Sequence, residues 1–190
     1  MKTFAEFILN EAAPGSDIPV GKTKVSVFPG RMAPLHIGHH QIISSMKFKP
    51  VVLLVKGKGT SADKNKNPFD EDYQEYLIKK CFPKAEVRVV GNANLTAISY
   101  HLRNAGLEVS EVFAGDDRLD SYKKMIERLN AGISDPNLKY EVDFHLTPRV
   151  TSATKVREAI KNNDEATFKK LMPRVLWPEW KTMKQKMGVE

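Results

Sequence analysis

The stretch 25-VSVFPGRMAPLHIGHHQII-43 changes period halfway along, and that change decides the fold. Residues 25–28 are β-branched and apolar, the composition of a central strand in a parallel sheet. Pro29 and Gly30 end that run, Pro34 delays the next element, and a helix is expected from about Gly38. The loop between carries two imidazoles, His36 and His39, separated by Ile37 and by a glycine with no side chain to obstruct a ligand. Three-residue spacing at a helix start sets both rings on one side, beside unpaired backbone N–H groups and the positive end of the helix dipole. Such a place suits an anionic phosphate.

Working outward, the same alternation of strand and helix repeats. A second strand is read at 51–55 (VVLLV), followed by the basic, glycine-containing loop KGKGTSADKNKNPF and a helix over 70–80 with acids first and lysines last. Ligands of parallel sheets bind beyond the carboxyl ends of strands, so Lys56 and Lys58 are candidates to line a site; a solvated loop is the plainer reading for either one. A third strand at 86–90 leads through Gly91-Asn92-Ala93-Asn94 to a helix with Leu95, Ile98 and Leu102 on one face, closed by Gly106. The fourth strand, 111–114, runs into Gly115-Asp116-Asp117-Arg118, where an Asp is expected to cap a helix over 119–129. A linker over 130–137 precedes a strand over 140–146. Ser152 is expected to cap the next helix, Asp164 a further one over 165–172, and a tail with Trp177 and Trp180 leads into a basic amphipathic helix. Five strands alternating with helices give an α/β fold: a doubly wound, Rossmann-like parallel sheet with helices on both faces.

Length and composition set the limits. With 190 residues the chain holds one α/β domain, read as residues 23–190, after an appendage and linker at 1–22. No apolar run approaches the ~20 residues of a membrane span, and the single cysteine, Cys81, forbids an internal disulfide, which fits the cytoplasm. The net charge of +7 is spread over several loops and helix ends, an arrangement that favours anionic small substrates as readily as nucleic acid. No zinc knuckle, recognition-helix pattern or aromatic-interleaved basic strand supports a nucleic-acid module.

Residues 30–39, GRMAPLHIGH, resemble the G-R-F-x-P-x-H-x-G-H signature of the nucleotidyltransferase superfamily, the adenylyl- and cytidylyltransferases with an HxGH motif. Residues 151–157, TSATKVR, are similar to the family's I-S-x-T-x-x-R phosphate-binding helix start, and Gly115-Asp116-Asp117-Arg118 resembles its G-S-D-R element, with Asp116 in place of the serine. Asn67-Pro68-Phe69 resembles the nicotinamide-mononucleotide (NMN) adenylyltransferase branch, which carries Glu-Arg where this chain has Tyr73-Gln74. The resemblance implies transfer of AMP from ATP to a phosphate-bearing acceptor such as NMN, with release of pyrophosphate. It assigns His36 and His39 to the triphosphate in the transition state and Arg31, Ser152, Thr154 and Arg157 to the leaving β and γ phosphates. Gly30, Gly38, Gly115 and Asp117 would contact the nucleotide. Mg²⁺ would bridge the phosphates, held by substrate and water rather than by protein ligands. Trp177 is either a packing residue or a platform for a substrate ring.

Alternatives stay open. A CTP-dependent transferase fits the same motifs. The first eleven residues, MKTFAEFILNE, resemble the capsid-targeting segment of large tailed bacteriophages, with cleavage after Leu9-Asn10-Glu11, although an amphipathic helix packed on the domain reads equally well. The phage reading adds a virion interior to the host cytoplasm and admits an inactive, packaged or DNA-associated protein of the same fold. A homo-oligomer is compatible with all of these. Class I aminoacyl-tRNA synthetases also use HIGH, but the chain is too short for their apparatus and has no KMSKS-like loop.

Overall fold

The computed structural model describes residues 22–57, 63 and 65–189. The expected targeting or helical segment at 1–11 lies outside these residues. Strands β1 (Thr23–Gly30), β2 (Lys49–Val55), β3 (Glu86–Val90), β4 (Leu107–Ala114) and β5 (Asp143–Leu146) form one sheet in the order β3-β2-β1-β4-β5. Every pair is parallel. Helices α1 (Ile37–Ser44), α2 (Glu71–Cys81), α3 (Leu95–Asn104), α4 (Asp116–Ala131), α5 (Ala153–Lys161), α6 (Glu165–Leu171) and α7 (Trp180–Lys186) connect and cover it.

The central strands explain the layering. In β2, Val51, Val52, Leu53 and Leu54 are all fully buried, because a parallel strand between two helical layers has no wet face. Val52 and Leu54 point into a core with α1, α2, α5, α6 and α7, whereas Val51 and Leu53 point into a second core with α3 and α4. Each such side chain contributes roughly 1.5–3 kcal/mol by leaving water.

Several boundaries differ from expectation for identifiable reasons. β1 continues through Pro29 and Gly30, which pair with Leu53 and Leu54 after the ladder to β4 has ended at Val27. A strand with one free side tolerates a residue lacking an N–H. β5 begins at Asp143 rather than near Tyr140, because the Asn130 side chain takes both backbone groups of Tyr140: Tyr140 N donates to Oδ1 (2.7 Å) and Nδ2 donates to Tyr140 O (2.9 Å). Helix α4 is capped by Gly115, without a side-chain bond, and not by an Asp. Asp116 and Asp117 instead occupy its first turn, where their charge favours the helix dipole. The caps read at Ser152 and Asp164 each accept a backbone N–H, and Gly106 after α3 has φ +77°; Asp70 and Asn94, not read as caps, accept one as well.

Two buried carboxylates tie distant segments together. Glu111 on β4 accepts from Ser26 Oγ on β1 (2.5 Å) and from Lys47 N (3.1 Å). Glu179, just before α7, accepts from Tyr73 OH (3.0 Å), Tyr76 OH (2.9 Å) and Lys80 Nζ (2.5 Å), which pins the tail to α2. No helix among the described residues is long and apolar enough to cross a membrane.

Candidate active site

In this strand order β1 and β4 are neighbours whose connections leave in opposite directions, the switch point at which open α/β sheets form a ligand crevice. A cleft of about 1290 Å³ opens there, over the carboxyl ends of the strands. Gly30, Arg31, His36, Gly38, His39, Gly115, Asp117, Ser152, Thr154 and Arg157 all line it. Segments more than a hundred residues apart in sequence thus meet in one place.

His36 is the N-cap of α1, and its Nδ1 accepts from the His39 backbone N–H at 3.3 Å. An accepting Nδ1 leaves the proton of the neutral ring on Nε2, which is then a donor. The two rings stack at 3.7 Å and 16°, and His39 also meets Phe28 edge-on at 5.8 Å. Burial pushes His36 down to about 4; burial, then the neighbouring His36, holds His39 well below the usual value. Both are neutral at pH 7. Gly38 is what permits the arrangement, since a Cβ there would lie 3.1 Å from His36 Cε1 and 3.2 Å from Nδ1.

Ser152 caps α5 by accepting from Lys155 N at 3.4 Å and lines the same cleft as the histidines. Arg157 donates to Ala33 O (2.6 Å) and to Thr154 Oγ1 (3.1 Å), which ties α5 to the loop after β1. Burial, then the charge of Arg31, lowers Arg157, so the two guanidinium groups feel each other. Arg31, Arg149 and Arg157 line the cleft, and none has an ion-pair partner among the described residues. Repelling cations that form no ion pair with the nearby carboxylates are a place for a polyanion. His39 Nδ1 and Thr151 Oγ1 are buried with no hydrogen-bond partner among the described residues.

Two expected positions, Lys56 and Trp177, are not part of this cleft. Lys56 turns away to α2, with Nζ 2.5 Å from Gln74 Oε1 and 3.7 Å from Glu71 Oε1. Lys58 lies outside the described residues. Trp177 packs at the end of α6, where Nε1 donates to Lys169 O (2.9 Å) and Met172 O (3.2 Å), satisfying carbonyls the helix end leaves free. Sequence reasoning missed Gln74, Thr151 and Arg149. Thr151 directly precedes the cap of α5 and was within reach of the motif; Gln74 gave no local signal.

No group of three His, Cys, Asp or Glu side chains converges to hold a metal among the described residues. The cleft's carboxylates are Asp116, Asp117 and Glu158, outnumbered by Arg31, Lys66, Arg118, Arg149, Arg157 and Lys161. That donor set suits a divalent ion arriving on a polyphosphate better than one caged by protein.

No protein-family model matches the chain, and no curated protein sequence does. Solved structures do. The bifunctional NMN adenylyltransferase/ADP ribose pyrophosphatase of Francisella tularensis superposes with a TM-score of 0.58 at 14% identity, over 87% of this chain and 52% of that one. The nicotinic acid mononucleotide adenylyltransferase of Plasmodium falciparum, complexed with NaAD, gives 0.54 at 10% identity, over 88% and 98%. A Vibrio parahaemolyticus protein proposed to be a nicotinate-nucleotide adenylyltransferase gives 0.53 at 14%, over 83% and 98%. This chain spans about half the length of the Francisella enzyme. At these identities the shared property is the fold: a five-stranded, Rossmann-like parallel α/β domain.

Proposed function

We propose that the chain is a nucleotidyltransferase that moves AMP from ATP to a phosphate-bearing acceptor such as NMN. The observation that supports this most is the convergence of the stacked His36–His39 pair with Arg31 and Arg157, neither of them in an ion pair among the described residues, in the switch-point cleft. An oxygen of the acceptor phosphate attacks the α-phosphorus, and the bond from that phosphorus to the bridging oxygen of the β-phosphate breaks. Pyrophosphate leaves with the electron pair, so no protein nucleophile is needed. What the protein supplies is alignment and charge stabilisation as the bond breaks.

Neutral imidazoles suit that work because they donate hydrogen bonds without giving up a proton. His36 Nε2–H is directed by the backbone bond to its Nδ1, and the ring of His39 is held against His36 and Phe28. Arg31 and Arg157 take the β and γ phosphates, with Ser152, Thr154 and the free N–H groups of α5 beside them. Gly115 and Asp117 line the wall on the β4 side, the place for the nucleoside. Mg²⁺ enters on the triphosphate.

The test is pyrophosphate release with Mg²⁺ from ATP and from CTP, against NMN, nicotinic acid mononucleotide, phosphopantetheine, glycerol 3-phosphate and phosphocholine. Turnover by one ATP pair, lost in His39→Ala, is expected. Turnover from CTP alone would replace the adenylyl reading by a cytidylyl one. Failure of ATP and CTP even to bind, measured by calorimetry, would end the transferase reading.

A further inference from the structure

We propose that Gln74 is a positioning residue of this site: a buried amide that holds the Arg31–Met32 segment in the conformation that grips the leaving phosphates. The phosphate ligand rests on the transferase reading; the clamp itself rests on geometry. Gln74 lies on α2 with no exposed surface, and its polar atoms are all used. The two N–H bonds of Nε2 are shared among three acceptors, Arg31 O (3.0 Å), Met32 O (3.1 Å) and Asn67 Oδ1 (3.2 Å), while Oε1 accepts from Lys56 Nζ (2.5 Å).

The orientation of this amide is fixed from both ends. Lys56 cannot accept, so it faces Oε1; the two backbone carbonyls cannot donate, so they face Nε2. Lys56 is itself held, with a side chain 9% exposed, Glu71 3.7 Å away and its backbone N–H bonded to Val90 O at 2.8 Å. The clamp therefore stands on α2 and, through Lys56, on the adjoining ends of β2 and β3. No other residue type does the same: glutamate lacks the donors, arginine lacks the acceptor, and asparagine is one methylene short.

What the clamp holds is a segment that would otherwise move. Met32 has φ +47°, a region that L residues avoid, and its side chain is buried in the core at 1% exposure. With the core fixing the side chain and Gln74 fixing the two carbonyls, the backbone keeps this turn and Arg31 stays beside Arg157. Release of the carbonyls lets Met32 relax toward negative φ, which turns the preceding peptide and carries Arg31 off the anion site.

The test uses the full chain and Gln74→Glu, which keeps the volume and the Lys56 contact but sets a carboxylate against two carbonyls. Two readouts are taken at matched thermal stability: calorimetric binding of inorganic pyrophosphate with Mg²⁺, and limited trypsin cleavage at the Arg31–Met32 bond. Pyrophosphate binding weaker by about tenfold or more is expected, as for loss of a buried donor, together with faster cleavage at Arg31. If Gln74→Glu does not fold, the double variant Lys56→Met/Gln74→Leu replaces the whole polar pair by apolar groups of similar volume and decides the matter with the same two readouts. A folded variant that binds pyrophosphate like the wild type and is cut at Arg31 no faster overturns the proposal. If wild type binds neither pyrophosphate nor ATP but the variant is still cut faster at Arg31, the clamp stands and the transferase reading falls.

Discussion

Two polar clusters of the molecule, one around Glu179 and one around His36 and His39, have opposite designs. Around Glu179, Tyr73, Tyr76 and Lys80 satisfy both carboxylate oxygens. Around His36 and His39, ring and hydroxyl atoms are left over among the described residues: His39 Nδ1 and Thr151 Oγ1 have no hydrogen-bond partner, and the adjacent guanidinium groups form no ion pair. A closed network ties chain segments together, whereas an open one keeps hydrogen-bonding capacity for something that is not protein. The same contrast applies to pKa. Burial raises Tyr73, with Glu179 adding to it, and Lys80 is raised by its bond to Glu179, so that network keeps its protonation over the whole neutral range; the histidines are depressed toward acid.

The sharpest way to break this contrast is to delete one member from each cluster. His39→Ala is expected to lower kcat by about 10²–10³-fold, the usual loss for one transition-state donor, while unfolding free energy changes by about 1 kcal/mol for the lost ring stacking. Glu179→Ala is expected to do the reverse. It leaves two hydroxyls and an ammonium without their acceptor, so stability falls by roughly 2 kcal/mol in urea unfolding while ATP affinity in calorimetry stays within about twofold. An equal loss of activity in both variants would show that the two clusters are not separable.

Acid sharpens the comparison next. The unfolded chain binds protons at His36 and His39 from about pH 6.5 downward, whereas the folded chain resists until near pH 4 at His36 and lower than usual at His39. Between those values the unfolded state holds more protons, so the stability contributed by neutral histidines is complete above pH 6.5 and is lost as pH falls toward 4. A decline on the order of 2–3 kcal/mol is expected across that window, read from denaturant midpoints at each pH, and it should shrink in His36→Gln/His39→Gln. An unchanged slope in the double variant would assign the decline to carboxylates instead.

How much of this was legible in the sequence follows from how local each cause is. The strand centres were readable because burial on both faces demands four consecutive apolar residues, as in β2. The caps at Ser152 and Asp164 were readable because the capping partner is three residues away. His36, His39, Ser152 and Arg157 were readable because helix starts carry their own chemistry. Gln74 was not: its partners Arg31 and Met32 lie more than forty residues back along the chain, and in sequence it stood only as a departure from the Glu-Arg of the NMN branch. The same holds for Lys56, whose place in a basic loop pointed to the cleft until α2 supplied Gln74 and Glu71. Trp177 was drawn off by two carbonyls at the end of α6, one of them eight residues back, a demand no periodicity reveals.

The smallest perturbation tests the geometry itself. Gly38→Ala adds one methyl group, and in a helix interior alanine is favoured over glycine by about 1 kcal/mol, so stability alone would rise. At this position the new Cβ sits 3.1 Å from His36 Cε1 and 3.7 Å from Thr151 Cγ2, between the two segments that form the cleft. The His36 ring must give way by a few tenths of an ångström, which disturbs its stack on His39 and the direction of Nε2–H. Helix propensity and site geometry therefore pull in opposite directions. The expected outcome is a Tm equal to or above that of the wild type with kcat lower by about tenfold, the loss that a sub-ångström misplacement produces. Were Tm and kcat to fall together, the methyl group would be acting on the fold and Gly38 would be a packing residue. Were kcat unchanged, the stacked pair would not be what aligns the reacting phosphate.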